Sequence, residues 1–181
     1  MRRPTPEELL AARARHVPDV IAPELRILFC GINPGLYSAA VGHHFARPGN
    51  RFWKALHGAG LTGRLLAPWE DDALLASGLG ITNLVARATA RADELGTAEL
   101  VAGRRRLAAK AARWRPAWIA VLGLGAYRIG FGRPDARMGR QRERIGPARV
   151  WLLPNPSGLN AHHSLSHLVA AFRALRRAAD A

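Results

Sequence analysis

Short apolar runs that end in turn-forming residues mark the buried strands of this chain. They predict strands over residues 25–30, 80–85, 117–123 and 149–153. Amphipathic spacing and capping residues predict helices over residues 5–16, 50–57, 69–77, 97–114 and 164–179. Because strands alternate with helices, the pattern predicts an α/β fold: a three-layer sandwich with a central four-stranded, mostly parallel sheet flanked by helices.

Polar and glycine-rich segments between these elements are predicted to be connections. They cover residues 36–50, 86–96 and 130–147. No internal repeat and no dividing linker interrupts the sequence, so residues 1–181 are predicted to form a single domain. Residues 1–19 are predicted to be an N-terminal helical extension that packs outside the main fold.

The charge balance favours a polyanionic partner. The chain carries 27 Lys and Arg residues against 13 Asp and Glu residues, which gives a formal net charge of +14. Lys and Arg side chains neutralise phosphates and release their counterions, so this excess favours nucleic acid. The arginines are spread along the whole sequence, and a basic surface without a specific partner is therefore the alternative.

Cysteine usage and hydropathy narrow the class of protein further. Cys30 is the single cysteine, which excludes an internal disulfide, an iron–sulfur cluster and a cysteine-based zinc site. Its apolar neighbours predict a small buried hydrophobe. No apolar run approaches the roughly 20 residues of a membrane span, and the first residues lack the apolar core of a signal peptide. We therefore expect a cytoplasmic, DNA-associated protein, and nothing in the sequence indicates an oligomer.

Two tight loops follow predicted strands and carry the candidate chemistry. Gly31–Gly35 follows the first strand, and Asn155–Leu159 follows the last one. Either loop alone could be an ordinary turn, because Asn, Pro and Gly suit turns in any fold. Open α/β sheets keep their ligand sites at the carboxyl ends of their strands, so the two loops together favour a binding site there.

Two other motifs are weaker. Gly123–Arg128 begins like a dinucleotide-binding fingerprint, but Arg128 stands where the third glycine is needed. His163 and His167 have the spacing of two metal ligands on one helix, but no third ligand accompanies them at a recognisable distance. We therefore predict neither a nucleotide cofactor nor a metal.

The residues in and around the two loops resemble those of a known family. The matching blocks are Gly31–Leu36, Phe45–Pro48, Asn50–Trp53 and Leu153–Leu159. They closely resemble the mismatch-specific uracil/thymine DNA glycosylases of the uracil-DNA glycosylase superfamily, and the similarity runs from about residue 20 to residue 178. The resemblance implies hydrolysis of the N-glycosidic bond of a uracil opposite guanine in double-stranded DNA, without a cofactor or metal.

The resemblance also implies roles for individual residues. Asn33 matches the catalytic asparagine, Phe45 matches the aromatic residue that stacks on the extruded base, and Ile32 matches one wall of the base pocket. Further substrate-binding positions are Gly35, Ser38 and Asn83. The loop that enters the duplex supplies the DNA-binding residues, with Leu159 as its wedge: Asn155, Pro156, Ser157, Gly158, Leu159 and Asn160.

Asp93 is a catalytic candidate that the family pattern does not supply. An amide such as that of Asn33 can orient a water molecule but cannot accept its proton. Asp93 follows the second predicted strand, at the same edge of the sheet. We hypothesise that it assists as a base or stabilises the sugar cation. The alternative is that Asp93 only caps or solvates its loop.

The sequence also bears on substrate range and on the outcome of the reaction. The uracil-only branch of the superfamily has a tyrosine where this chain has Gly35, so thymine or etheno-cytosine in mispairs is expected to fit. Lys54 and Lys110 lie in predicted helices away from the motifs, which predicts a monofunctional enzyme that leaves an abasic site. A non-catalytic DNA-damage-binding module of the same fold is the alternative.

Overall fold

The strands form one mixed sheet in a computed structural model that describes residues 2–159 and 162–181. The strands are β1 (Ile27–Gly31), β2 (Leu79–Asn83), β3 (Trp118–Leu122), β4 (Gly139–Ile145) and β5 (Ala148–Leu153). Their order is β2-β1-β3-β5-β4, and every neighbouring pair is parallel except β4 and β5. The predicted α/β class and mostly parallel sheet are confirmed.

Helices cover both faces of this sheet. The α-helices are α1 (Pro6–Ala11), α2 (Leu36–Val41), α3 (Phe52–Gly58), α4 (Thr97–Trp114), α5 (Leu124–Phe131) and α6 (Leu165–Asp180). Short 3-10 segments cover Ala12–Ala14, Pro68–Ser77 and Ala92–Glu94. None of the helices in the described ranges is both long enough and apolar enough to cross a membrane.

The central strand β1 shows why an unbroken apolar run is needed here. All five of its residues are buried, because helices cover the sheet on both sides. Phe29 packs with Phe52 of α3 and Phe172 of α6 on one face, with ring centroids 5.4 and 5.8 Å away. Cys30 faces the core on the other side. Its predicted burial is confirmed, and burial raises the pKa of its thiol to about 12.

The sheet has five strands, and the prediction of four was wrong. The segment predicted as a connection, residues 130–147, contains β4. Of the residues in β4 only Ile145 is buried, so the strand carries no apolar run and no apolar alternation. Backbone pairing with β5 forms it instead, through a two-residue turn that begins at Gly146 with φ at +57°.

Two short helices were also not predicted. Residues 36–41 form α2 inside the segment predicted as a loop. Residues 124–131 form α5, which begins directly after Gly123 at the end of β3. Both helices are short, and glycine and alanine obscure their apolar faces, so periodicity gives little signal. Both helices begin at the carboxyl edge of the sheet, α2 after the Gly31–Gly35 loop and α5 after β3.

Candidate active site

The carboxyl ends of the parallel strands surround a cavity of about 120 Å³. Gly31, Asn83 and Leu122, the last residues of β1, β2 and β3, all line it. The predicted site residues that line this cavity are Ile32, Asn33, Gly35, Ser38, Phe45, Asn83, Asn155, Ser157 and Leu159. The two loops that are far apart in the sequence therefore meet at one edge of the sheet.

The amide of Asn33 is held in one orientation. Its Nδ2 donates to the carbonyl oxygen of Arg87 at 2.9 Å and to Oγ1 of Thr89 at 2.7 Å. A carbonyl oxygen accepts only, so this contact fixes which end of the amide is the nitrogen. Both N–H groups are used, and Oδ1 is left as the hydrogen-bonding atom of Asn33 within the cavity wall.

The segment that holds Asn33 is itself tied to the loop after β2. The backbone of Thr89 donates to the carbonyl of Pro34 and accepts from the N–H of Leu36. The Thr89 hydroxyl is buried and donates onward to the carbonyl of Arg91 at 2.7 Å. The loops after β1 and β2 thus form one hydrogen-bonded unit, which limits the movement of Asn33.

Phe45 presents an aromatic ring to the cavity from the loop after α2. One face of this ring stacks on Phe52 of α3, with centroids 4.1 Å apart and planes inclined by 23°. Its backbone has φ at +51°, a left-handed conformation that costs free energy in a non-glycine residue. Ser38 helps to hold this turn, because its buried Oγ accepts from the N–H of Ala46 at 3.1 Å.

A buried polar cluster braces the same turn. Asp71 accepts from the backbone N–H of His44 at 3.3 Å and lies 3.2 Å from Nδ1 of His43. Nε2 of His44 donates to the carbonyl of Pro18 at 2.8 Å. Burial lowers the pKa of His44, and its imidazole is therefore neutral at pH 7. His44 lines the cavity beside Phe45 as a neutral wall.

The second loop is built by its own side chains. Oδ1 of Asn155 accepts from the N–H of Ser157 at 2.9 Å, and the Ser157 hydroxyl accepts from the N–H of Leu159 at 3.3 Å. These turns carry Leu159 outward, where 61% of its surface is exposed. Pro156 and Gly158 support the loop without lining the cavity. Asn160, the last predicted residue of this loop, lies outside the described residues.

Contacts with the start of α3 anchor the second loop. Arg51 donates from Nη2 to the carbonyl of Ser157 at 2.8 Å, from its backbone N–H to that of Pro156 at 3.0 Å, and also to that of His163. A side chain at Gly158 would lie 2.7 Å from the backbone oxygen of Gly49. Glycine is needed there because the two backbones approach so closely.

Asp93 lies apart from the other predicted residues. It does not line the cavity, although its neighbours Arg91 and Ala92 do. Its side chain is 64% exposed and pairs with Arg91 at 2.8 Å. Hydrogen bonding to the Arg91 guanidinium lowers the pKa of Asp93 below its usual range. A carboxylate with a lowered pKa is a weaker base.

Several cavity residues were not predicted as site residues. Outside the two predicted loops they are Val17, His44, Arg47, Asn50, Thr89, Ala90, Arg91, Ala92 and Leu122. Val17 belongs to the predicted N-terminal extension, so that segment reaches the site. Thr89 could have been suspected from its place in the polar stretch after a buried strand. Its hydrogen bond to Asn33 depends on the packing of the two loops, which the sequence does not display.

The pair formed by His163, just before α6, and His167, on α6, contacts no third ligand in the described part of the chain. Nδ1 of His163 and Nδ1 of His167 are 3.5 Å apart. Within residues 2–159 and 162–181, no group of three or more His, Cys, Asp or Glu side chains is placed to hold a metal ion.

Comparisons with known proteins agree with the fold. The model of the uracil DNA glycosylase superfamily matches residues 18–176. The solution NMR structure of a provisionally assigned uracil DNA glycosylase from Methanosarcina acetivorans superposes with a TM-score of 0.54 at 20% sequence identity. The match covers 90% of this chain and 98% of that one. At this identity the structural likeness concerns the fold alone.

Proposed function

Because the chain belongs to the uracil DNA glycosylase superfamily, we propose that it excises uracil from G mispairs in double-stranded DNA and leaves an abasic site. The observation that carries this proposal is the grouping of Asn33, Phe45 and Leu159 around one cavity. An oriented amide, an aromatic ring and a projecting apolar side chain are the three groups that extrusion and hydrolysis of a base require.

Extrusion of the base is assigned to the second loop and to the aromatic ring. A base inside a duplex cannot be reached, and extruding it costs a few kcal/mol, least for a mispaired base. Leu159 enters the vacated space in the stack, as apolar wedges do in other DNA-binding proteins. The extruded pyrimidine stacks on the free face of Phe45, and Asn83 at the end of β2 hydrogen-bonds to its edge.

Hydrolysis then breaks the bond between C1′ of the deoxyribose and N1 of uracil. The bonding pair leaves with uracil as an anion, which N–H donors around Ile32 stabilise. A water molecule held by Oδ1 of Asn33 attacks C1′ of the oxocarbenium-like sugar. It loses its proton to solvent or to the departing base, because an amide is not a base.

The proposed mechanism uses neither a carboxylate as a base nor a lysine as a nucleophile. Asp93 is exposed, paired with Arg91 and outside the cavity lining. Lys54 is exposed on α3, and Lys110 on α4 pairs with Asp19 at 2.5 Å. None of the described residues that line the cavity carries an amine that could form an imine with the abasic sugar. This supports a reaction without strand cleavage.

Release of uracil from labelled duplexes tests the proposed function. We expect the full chain to make a G:U duplex sensitive to alkali at the uracil, whereas untreated product stays intact. A G:C duplex of the same sequence serves as the control. Binding to the G:U duplex without any alkali-sensitive site would instead identify a non-catalytic damage-binding module. Cleavage before alkali treatment would contradict the monofunctional mechanism.

The open space at Gly35 supports a wider substrate range. A Cβ atom built at Gly35 has no heavy atom within 4 Å. A second cavity of about 400 Å³ adjoins this position, and it shares Gly35, Arg47 and Ala90 with the base cavity. We propose that substituents on a pyrimidine, such as the methyl group of thymine or an etheno ring, extend into this space.

Gly35→Tyr is expected to remove activity on enlarged bases before activity on uracil. The tyrosine ring would fill the second cavity, and backbone strain does not oppose it, because φ of Gly35 is −72°. We expect single-turnover rates on G:T and etheno-cytosine duplexes to fall by at least about tenfold more than on G:U. Gly35→Ala, which fills little of the space, is the matched control. Equal losses on all bases would contradict this role of Gly35.

A further inference from the structure

The exposed face of the edge of the sheet carries a row of arginines, which we call the arginine stripe. It consists of Arg140, Arg142 and Arg144 of β4 and Arg149 of β5. All four side chains are exposed. Residues that alternate along a strand share one face, and cross-strand partners share it too. Arg144 is paired with Arg149, and Arg140 with Trp151, which places these three arginines on the face that α6 covers elsewhere. The register shifts between Arg140 and Arg144, and the exposed Arg142 lies in this irregular part of β4.

The stripe lacks neutralising carboxylates. In residues 2–159 and 162–181, no ion pair involves any of its four arginines. Glu143 is the single acidic residue of β4, and it pairs with Arg133 at 2.8 Å.

Like charges are held together in the stripe at a cost to stability. Arg144 lies directly opposite Arg149 in the register, and like charges in this position destabilise a sheet. The guanidinium groups of Arg140 and Arg149 both lie over the ring of Trp118, with distances of 5.8 and 5.4 Å to its centroid. Stacking on one indole keeps both groups in place. Such an arrangement favours binding of a polyanion, because its negative charges offset the repulsion between the arginines.

The stripe begins next to the candidate active site. Arg140 is the register partner of Trp151, two residues before the end of β5 at Leu153. The loop that carries Leu159 follows directly. Arg140 and Arg144 lie opposite Trp151 and Arg149, which are two positions and about 7 Å apart on β5. This separation is comparable to that of successive phosphates along one DNA strand. A duplex with Leu159 in its stack can therefore continue along this edge.

We propose that the arginine stripe binds the phosphate backbone of the duplex arm on the β4 side of the wedge. It supplies affinity that does not depend on sequence, whereas the cavity supplies the choice of base. This inference rests on the proposed function only in taking DNA as the polymer. It assigns a duplex-binding surface to an edge strand that the base cavity does not include.

Binding to undamaged DNA tests the stripe independently of excision. The probe is a fluorescein-labelled duplex of about 30 base pairs without uracil, titrated with the full chain at several salt concentrations. We expect Arg142→Gln/Arg144→Gln to weaken binding by at least about tenfold near physiological salt. The slope of log K against log salt should fall by about 0.9 for each phosphate that the variant no longer neutralises. Because no uracil is present, failure of the glycosylase proposal does not affect this result.

Two matched variants distinguish the effect of the position of these arginines from the effect of losing net positive charge. Arg105→Gln/Arg106→Gln removes the same charge from exposed positions of α4 on the other face of the sheet, and it should bind like the wild type. Arg142→Lys/Arg144→Lys should keep the wild-type salt slope. An unchanged slope for the Gln variant, or an equal weakening in the α4 variant, would overturn the proposal. Aggregation of the Gln variant with unchanged affinity would also overturn it and would show that the arginines only protect an exposed edge.

Discussion

Asn33→Ala is expected to lower the single-turnover rate of uracil release by at least about 100-fold. The reason is geometric: both N–H groups of the amide are committed to Arg87 and Thr89, which leaves Oδ1 as the atom that we propose holds the attacking water. Without it the water is not oriented, although the aromatic ring and the wedge remain. The rate is measured on a G:U duplex with enzyme in excess, so that product release does not enter.

Retained binding distinguishes this effect from a damaged fold. We expect Asn33→Ala to bind the G:U duplex nearly as tightly as the wild type, because the second loop and the basic surface are proposed to supply the affinity. Thr89→Val keeps Asn33 but removes one of its two acceptors, and an intermediate rate is expected. A rate for Asn33→Ala close to that of the wild type would exclude Asn33 from catalysis.

Gly31→Ala is expected to impair excision about as severely, by about 100-fold, because it closes the cavity from below. A Cβ atom at this last position of β1 would lie 2.6 Å from Oδ1 of Asn83 and 3.4 Å from Cζ of Phe45. The Asn83 side chain would have to move, and the new methyl group would contact the ring of Phe45. Both groups are proposed to contact the extruded base. The decrease should be measured as kcat/KM on the G:U duplex.

Gly35→Ala provides the matched control for this result. It adds the same methyl group to the same loop, four residues further on, where the space is open. We expect uracil excision by Gly35→Ala to stay near that of the wild type. The melting temperature of Gly31→Ala should also stay near that of the wild type, since alanine fits a strand. Unchanged excision by Gly31→Ala would show that the cavity does not receive the base.

The apolar strands and the two loops could be predicted because their signals are local. An unbroken run such as β1 must be buried on both faces, and a tight loop after it must lie at the edge of the sheet. β4 could not be predicted in this way, because its sequence is polar on both faces and pairing alone holds it. The same strand carries three of the four arginines of the stripe. The strand and the basic surface were therefore both left unpredicted for the same reason, the absence of an apolar pattern in β4.

The site was only partly predictable for a related reason. Asn33, Phe45 and Leu159 stand in recognisable motifs, but the groups that position them come from distant segments. Thr89 orients the amide, and Asp71 braces the turn of Phe45 through His44. These partners are ordinary polar residues with no local pattern. Asp93 was chosen by position along the chain, and three-dimensional packing leaves it outside the cavity.

The anchoring of the second loop by Arg51 has a mechanical consequence. Arg51 immediately precedes Phe52, whose ring supports Phe45, and it also holds the carbonyls of Pro156 and Ser157. If Leu159 enters a duplex as proposed, a force on the second loop is transmitted through Arg51 to the ring of Phe45, which is proposed to receive the base. Insertion of Leu159 between the base pairs and binding of the extruded base are then mechanically coupled. Neither step is expected to go to completion without the other.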